Sequence, residues 1–292
     1  MENMKYRITS ETKVVDNITL HRIECVTAFG DVECGEKGGW IKSEKNLSQD
    51  GNAWIYNNAT VSENATVGGN ATVYEDATVC GNAVVGGHAT VSGDAKVSGN
   101  AKVCGNAVVC GNAVVGENAT VSGNATVSGN AKVSGNAWIS GFSTVSGNAK
   151  VSGDAWINGF STVSGFSTVS GDATVSGDAT VSGNAWVGEN AKVSGDATVS
   201  GNAWVGENAT VSDNSDYIVF KNWWSSGRYF TWTRSNDKWR VGCFYGSGKE
   251  LIAKAYKDSE KSGREYERVV NYVESILKEE DNDNGNRNKR EG

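Results

Sequence analysis

Between Tyr217 and Lys249 six basic residues (Lys221, Arg228, Arg234, Lys238, Arg240 and Lys249) interleave with ten aromatic ones and a single acid, Asp237. The local charge is +5, in a chain whose formal net charge is −7. Aromatic faces stack on planar rings such as nucleobases, and the arginine fork pairs with phosphate. The candidate binding residues are therefore Trp223, Trp224, Arg228, Tyr229, Trp232, Arg234, Trp239 and Arg240. Their composition suits a small anionic nucleotide or an anionic protein surface. The competing reading puts half of the aromatics in a local core and leaves the basic side chains to solvate its other face.

Catalytic chemistry finds less material. The chain has two histidines, His21 and His88. His88 stands where neighbouring repeats carry Asn, which reads as a solvated substitute before it reads as a general base. Cys80, Cys104 and Cys110 fall at outward positions on three different faces of the repeat described below, so they do not converge. Cys25, Cys34 and Cys243 show no C-x-x-C spacing. The segment Gly246-Ser247-Gly248-Lys249 is too short for a phosphate-cradling loop. We assign no catalytic residue, no metal site and no cofactor.

The elements that must carry these residues are visible as a repeat. From Asn52 to Asp213 the chain divides into 27 hexads with no insertion, beginning NAWIYN, NATVSE, NATVGG and ending NAWVGE, NATVSD. Position 4 is always Val or Ile, and position 2 is Ala, or Ser at Ser143, Ser161 and Ser167. Alternation over A-x-V turns Ala and Val to one side of a short strand and x to the other. Gly followed by Asn or Asp supplies a corner, because these residues tolerate positive φ. One such strand cannot bury its own face, so the hexads must coil and stack. Three corners close a triangle of 18 residues, which predicts nine coils at about 4.8 Å each and a prism about 43 Å long. Asn and Asp recurring at the corners predict amide ladders along the axis.

The hexads resemble the hexapeptide repeat of left-handed parallel β-helix proteins. The stretch Phe29-Gly30-Asp31-Val32, with Gly38-Gly39-Trp40-Ile41, Ser43-Glu44 and Asn46-Leu47-Ser48, resembles the leader of a bacterial and prophage subgroup labelled as acetyltransferases. The resemblance implies left-handedness, a triangular section and frequent trimerisation. It also implies acyl transfer from a coenzyme A thioester, with a His base beside a cleft between subunits. The uninterrupted hexads offer no loop from which to build such a pocket.

The expected fold is mainly β. A left-handed parallel β-helix of about nine triangular coils (52–213) follows an N-terminal β cap (1–51). After it come a small C-terminal α+β domain (214–280) and a disordered tail (281–292). In the third domain three alternating segments read as a meander, followed by helices at Lys249–Asp258 and Arg264–Glu280, interrupted near Gly263. The outward column Thr72, Thr90, Thr126, Thr144, Thr162, Thr180 and Thr198 carries no charge; it suits close packing on another subunit, ice binding, or simply an outward strand face. Stacked pairs are expected at Trp138/Trp156, Phe142/Phe160 and Trp186/Trp204.

Composition narrows the class. No run approaches the roughly 18 apolar residues of a membrane helix. The acidic balance argues against general nucleic-acid binding. Six cysteines and no apolar N-terminal run suggest reduced thiols in a bacterial host cytosol. The functional expectation is a non-catalytic binding protein, a homotrimer given the resemblance. In one concrete form it is a phage counter-defence protein that sequesters a nucleotide-type host signal or blocks a host protein. The alternatives are a structural spacer or assembly protein, a coenzyme A-dependent acyltransferase and, as a minor reading, ice binding.

Overall fold

The structure is a computed structural model and describes residues 4–288. It divides into two compact units, Met1–Asn214 and Ser215–Gly292.

The first unit is a parallel β-helix. Each hexad contributes one two-residue strand, from β4 (Trp54–Ile55) to β30 (Thr210–Val211). Each strand pairs in parallel with the strand 18 residues on, as Lys96 with Val114 and Trp138 with Trp156. Three sheets result, and they form the three sides of the coil. The inward positions are sealed: Ala95, Val97, Ala131, Val133 and Ile157 are all 0% exposed. Backbone groups are satisfied from rung to rung, as in Lys96 N donating to Ala113 O at 2.9 Å and Ser98 N to Val115 O at 2.9 Å.

The helix begins earlier than residue 52. Three strands, β1 (Tyr6–Val15), β2 (Ile18–Cys25) and β3 (Lys37–Ile41), extend one of the three sheets. β1, β2 and β3 pair antiparallel in sequence, whereas β3 pairs parallel with the strand Thr60–Val61. A parallel bridge joins Leu47 to Val67. The N-terminal segment therefore caps the solenoid and also supplies an incomplete tenth rung. Trp54, expected to face outward, is fully buried beneath Tyr6 and Phe29, whose rings meet it edge-on at 6.3 and 5.5 Å.

The corners behave as the Asn/Gly chemistry requires. Amide ladders run along one edge from Asn64 through Asn82, Asn100, Asn118 and Asn136 to Asp154, with contacts of 2.7–3.1 Å. The sixth position sits at positive φ, for example +71° at Gly153, where an added Cβ would lie 2.7 Å from Gly171 N. Glu occupies the same conformation at Glu63, Glu75, Glu117 and Glu189. Each of these carboxylates accepts from the backbone N–H one rung on, at Gly81, Gly93, Gly135 and Glu207, over 2.5–2.7 Å.

The second unit is α+β. Four antiparallel strands, β31 (Tyr217–Lys221), β32 (Tyr229–Thr233), β33 (Lys238–Val241) and β34 (Phe244–Gly246), form a meander in sequence order. The third expected segment is thus two strands, split at Gly242, whose φ is +56°. Two helices follow, α1 (Gly248–Asp258) and α2 (Glu260–Asn288). Ser247 caps α1 by accepting from Glu250 N, and the Glu250 side chain answers Ser247 N. The helix break lies at Ser259, in extended conformation, and Gly263 is inside α2. Helix α2 continues to Asn288, into the segment expected to be disordered; residues 289–292 lie outside the described residues.

Candidate functional site: a cationic cleft in the C-terminal domain

The structure sorts the eight candidate residues by burial. Trp224, Trp232 and Trp239 are 9%, 1% and 1% exposed and belong to one core with Phe230, Leu251, Tyr266 and Val270. Period-2 alternation in β32 and β33 turns Trp232 and Trp239 inward as a directly opposed pair. Arg234 is a structural clasp: its guanidinium bonds Glu280 Oε2 at 2.7 Å and Ser215 O at 3.3 Å. Arg240 is half-buried on β33, opposite Thr231 and Tyr245. Trp223 and Tyr229 are exposed, with Lys221 Nζ 5.7 Å from the Tyr229 ring.

Arg228 alone of the eight lines a cleft of about 320 Å³. One wall is the loop from Asn222 to Arg228. Asn222 ties this loop shut: its N–H donates to Arg228 O at 2.7 Å, and its Oδ1 accepts from Ser225 N and Oγ at 2.9 and 3.1 Å. Its Nδ2 donates to Tyr266 Oη at 3.0 Å, which fixes the loop to α2. The second wall is the turn at Gly242 and Cys243. A Cβ on Gly242 would stand 3.2 Å from Arg228 Nη1, so the missing side chain lets the guanidinium lie against the turn. Helix α1 gives the third wall, with Lys254 and Asp258 one turn apart. The floor is apolar: Val241, Phe244, Leu251 and Ala255.

The charges in the cleft are not spent on one another. Neither Arg228 nor Lys254 forms an ion pair among the described residues. Lys254 Nζ rests 5.8 Å from the centre of the Phe244 ring. Burial pushes the Tyr266 phenol up; the Asp258 charge adds to this, while the Asn222 hydrogen bond and the Arg228 charge oppose it. Lys254, Asp258 and Ser262 were not singled out from the sequence, and Cys243 was weighed there only for metal spacing. The available signal was the i,i+4 spacing of Lys254 and Asp258 beside Leu251 and Ala255 on one helical stripe.

On the solenoid, His88 is exposed and its Nε2 lies 3.3 Å from Asn70 Nδ2, so it takes the place of an amide in the corner ladder. No group of three or more metal-ligating side chains converges among the described residues. No helix among them is long and apolar enough to cross a membrane. Trp138 and Trp156 stack at 5.9 Å, and Phe142 and Phe160 at 5.0 Å, with all four rings exposed, whereas Trp186 and Trp204, expected to stack, meet edge-on at 4.6 Å.

Comparison with known proteins reaches the solenoid. The family described as YdcK beta solenoid repeat matches residues 53–69, 119–135, 173–189 and 191–207. The chain is a hexapeptide-repeat β-solenoid protein. It is 38% identical over 61 residues to a protein of Escherichia coli (strain K12) named "Uncharacterized acetyltransferase YdcK". That match covers 18% of this chain and 19% of the relative, so the chain spans about a fifth of the relative's length. Every segment that the family matches lies inside the repeat.

Proposed function

We propose that this is a non-catalytic binding protein in which the β-solenoid carries a C-terminal domain that takes a small organic anion. The observation that carries the reading is the cleft where Arg228 and Lys254, which form no ion pair among the described residues, stand beside an apolar floor. Unpaired cations beside apolar surface are the usual composition of a site for an anion with a hydrophobic body. Calorimetry of the full chain against a panel of aromatic carboxylates and organic phosphates tests it. Saturable binding that weakens in Arg228→Ala and Lys254→Ala supports the reading, and no binding to any member of the panel overturns it. In its most specific form, the anion is a nucleotide-type host signal that a phage-borne protein sequesters.

Assembly belongs to the same proposal. The Thr column of one sheet carries no charge, while the other two sheets present Lys96, Lys132 and Lys150, and Lys102 and Lys192. Copies of the chain would pack through the uncharged face as a homotrimer. A light-scattering mass equal to one 30.8 kDa chain would overturn this.

A second reading is acyl transfer, favoured by the name of the matched relative. It would place the base at His88, whose ring is engaged with Asn70. Acetyl-coenzyme A turnover that disappears in His88→Ala would establish it in place of the first.

A further inference from the structure

We infer that the C-terminal cleft is a nucleoside monophosphate site, an inference that rests on the binding reading above and narrows its ligand. Three features of the cleft converge on that class. The first is charge. Arg228 reaches in from the 222–228 loop and Lys254 from α1, so two cations on different elements face one space. A phosphomonoester carries between one and a half and two negative charges near neutral pH and gains from more than one cation, and in this cleft the two cations outnumber the one carboxylate, Asp258. The guanidinium supplies paired donors to phosphate oxygens and the ammonium a point charge.

The second feature is the floor. Val241, Phe244, Leu251 and Ala255 form apolar ground next to the cations, fit to cover one face of a planar ring. Asp258 lies on the same wall as Lys254, one helical turn on, and Ser225, Ser226 and Ser262 line the rim. A carboxylate accepts hydrogen bonds, so the ligand must bring donors such as ribose hydroxyls or an exocyclic amine. Inorganic phosphate offers neither the ring nor these donors.

The third feature is size. A cleft of about 320 Å³ stands at the small end of the range for ligand sites, roughly 300–1,000 Å³. One base, one sugar and one phosphate suit it. A dinucleotide or coenzyme A would extend well outside.

Cys243 makes the inference testable without mutation. Its thiol is exposed and lines the cleft, so an occupant would cover it. The full chain is titrated by calorimetry with AMP, GMP, CMP and UMP, and with ribose 5-phosphate, inorganic phosphate, NAD and benzoate. In parallel, the rate of N-ethylmaleimide addition at Cys243 is followed by peptide mass mapping, with exposed Cys34 as the internal control. The expected result is at least one nucleoside monophosphate binding tenfold or more tightly than ribose 5-phosphate and NAD. That ligand should slow alkylation at Cys243 and leave Cys34 unchanged. Arg228→Ala and Lys254→Ala, both at exposed positions, should each weaken it tenfold or more with the far-ultraviolet circular dichroism unchanged. Equal binding of ribose 5-phosphate or phosphate would overturn the ligand class and leave the anion site standing, as would binding of benzoate alone. If no anion binds or protects Cys243, the inference and the binding reading both fall. Monophosphate binding without protection of Cys243 would place the ligand elsewhere and overturn this assignment.

Discussion

Glycine 153 shows what one corner residue has to satisfy. Its φ of +71° disfavours any L side chain, and an added Cβ would approach the next rung's backbone to 2.7 Å. Gly153→Ala should therefore cost about 1–3 kcal/mol, read by chemical denaturation. Glu at such a corner is a different case, because four native examples reach an N–H one rung away. Gly153→Glu should recover part of the loss by a solvent-exposed charge-assisted bond to Gly171 N, worth about 1 kcal/mol or less at such a site. If the Ala and Glu variants unfold together, the carboxylate contact has no stabilising role.

Lys5 makes a second prediction at this scale. It is 5% exposed, donates from Nζ to Gly51 O and Ala53 O, and lies 4.9 Å from the Phe29 ring. Burial lowers its pKa to about 8, against an opposing pull from Asp50. Above that value the folded chain sheds a proton that the unfolded chain keeps up to 10.5, so stability rises with pH from about 8 upward. Burial also raises the thiols Cys25, Cys80 and Cys110 and the Tyr6 phenol, and these oppose the rise as they begin to ionise in the unfolded chain, the thiols from about pH 8. The Lys5 contribution is therefore read as a difference between variants. The urea midpoint of the native chain should gain on that of Lys5→Met between about pH 8 and 10, and a constant difference would overturn the assignment.

Strands and helices decide which aromatics can meet a ligand. In the C-terminal domain Trp232 and Trp239 oppose one another across β32 and β33 and are both 1% exposed. Truncation to Ala at either position should cost about 3–5 kcal/mol and abolish the near-ultraviolet signal of the domain. Trp223→Ala, at a residue 75% exposed, should leave the unfolding midpoint within experimental error. The sequence supplied the meander and the two helices, since both follow from apolar spacing. It could not rank the tryptophans, because composition counts rings and only the partner strand says which side of the sheet each occupies. The cleft was hidden for a related reason. Arg228, Gly242 and Lys254 lie on three separate elements, and no local pattern announces that a loop, a turn and a helix will meet.

At the scale of the whole chain, the repeat made most of the first unit readable before any coordinate. The 18-residue register, the sealed Ala/Val interior and the amide ladders all follow from six-residue spacing. The start of the coil did not, because β3 joins the sheet with no hexad of its own and is recruited by pairing with Thr60–Val61. A solenoid of this kind is held by nearest-neighbour rungs. Deleting Asn112–Gly129, one complete turn, should leave circular dichroism and ligand binding intact, and shift the melting temperature by only a few degrees. Deleting nine residues from the same place should produce insoluble protein, because inward and outward positions no longer align beyond the cut. Solubility and thermal melts of the two deletions check this directly.

The antiparallel hairpin that continues into the first parallel sheet bears on how the protein is made. The ribosome releases β1, β2 and β3 before any hexad, so the β3 edge that pairs with Thr60–Val61 precedes the first coil. At synthesis rates of about 5–20 residues per second, each new turn arrives in about 1–4 s and finds its docking strand already folded. Growth from a seeded end lets a long, regular and otherwise sticky stack of strands be laid down one turn at a time, with little opportunity to pair with a neighbouring nascent chain.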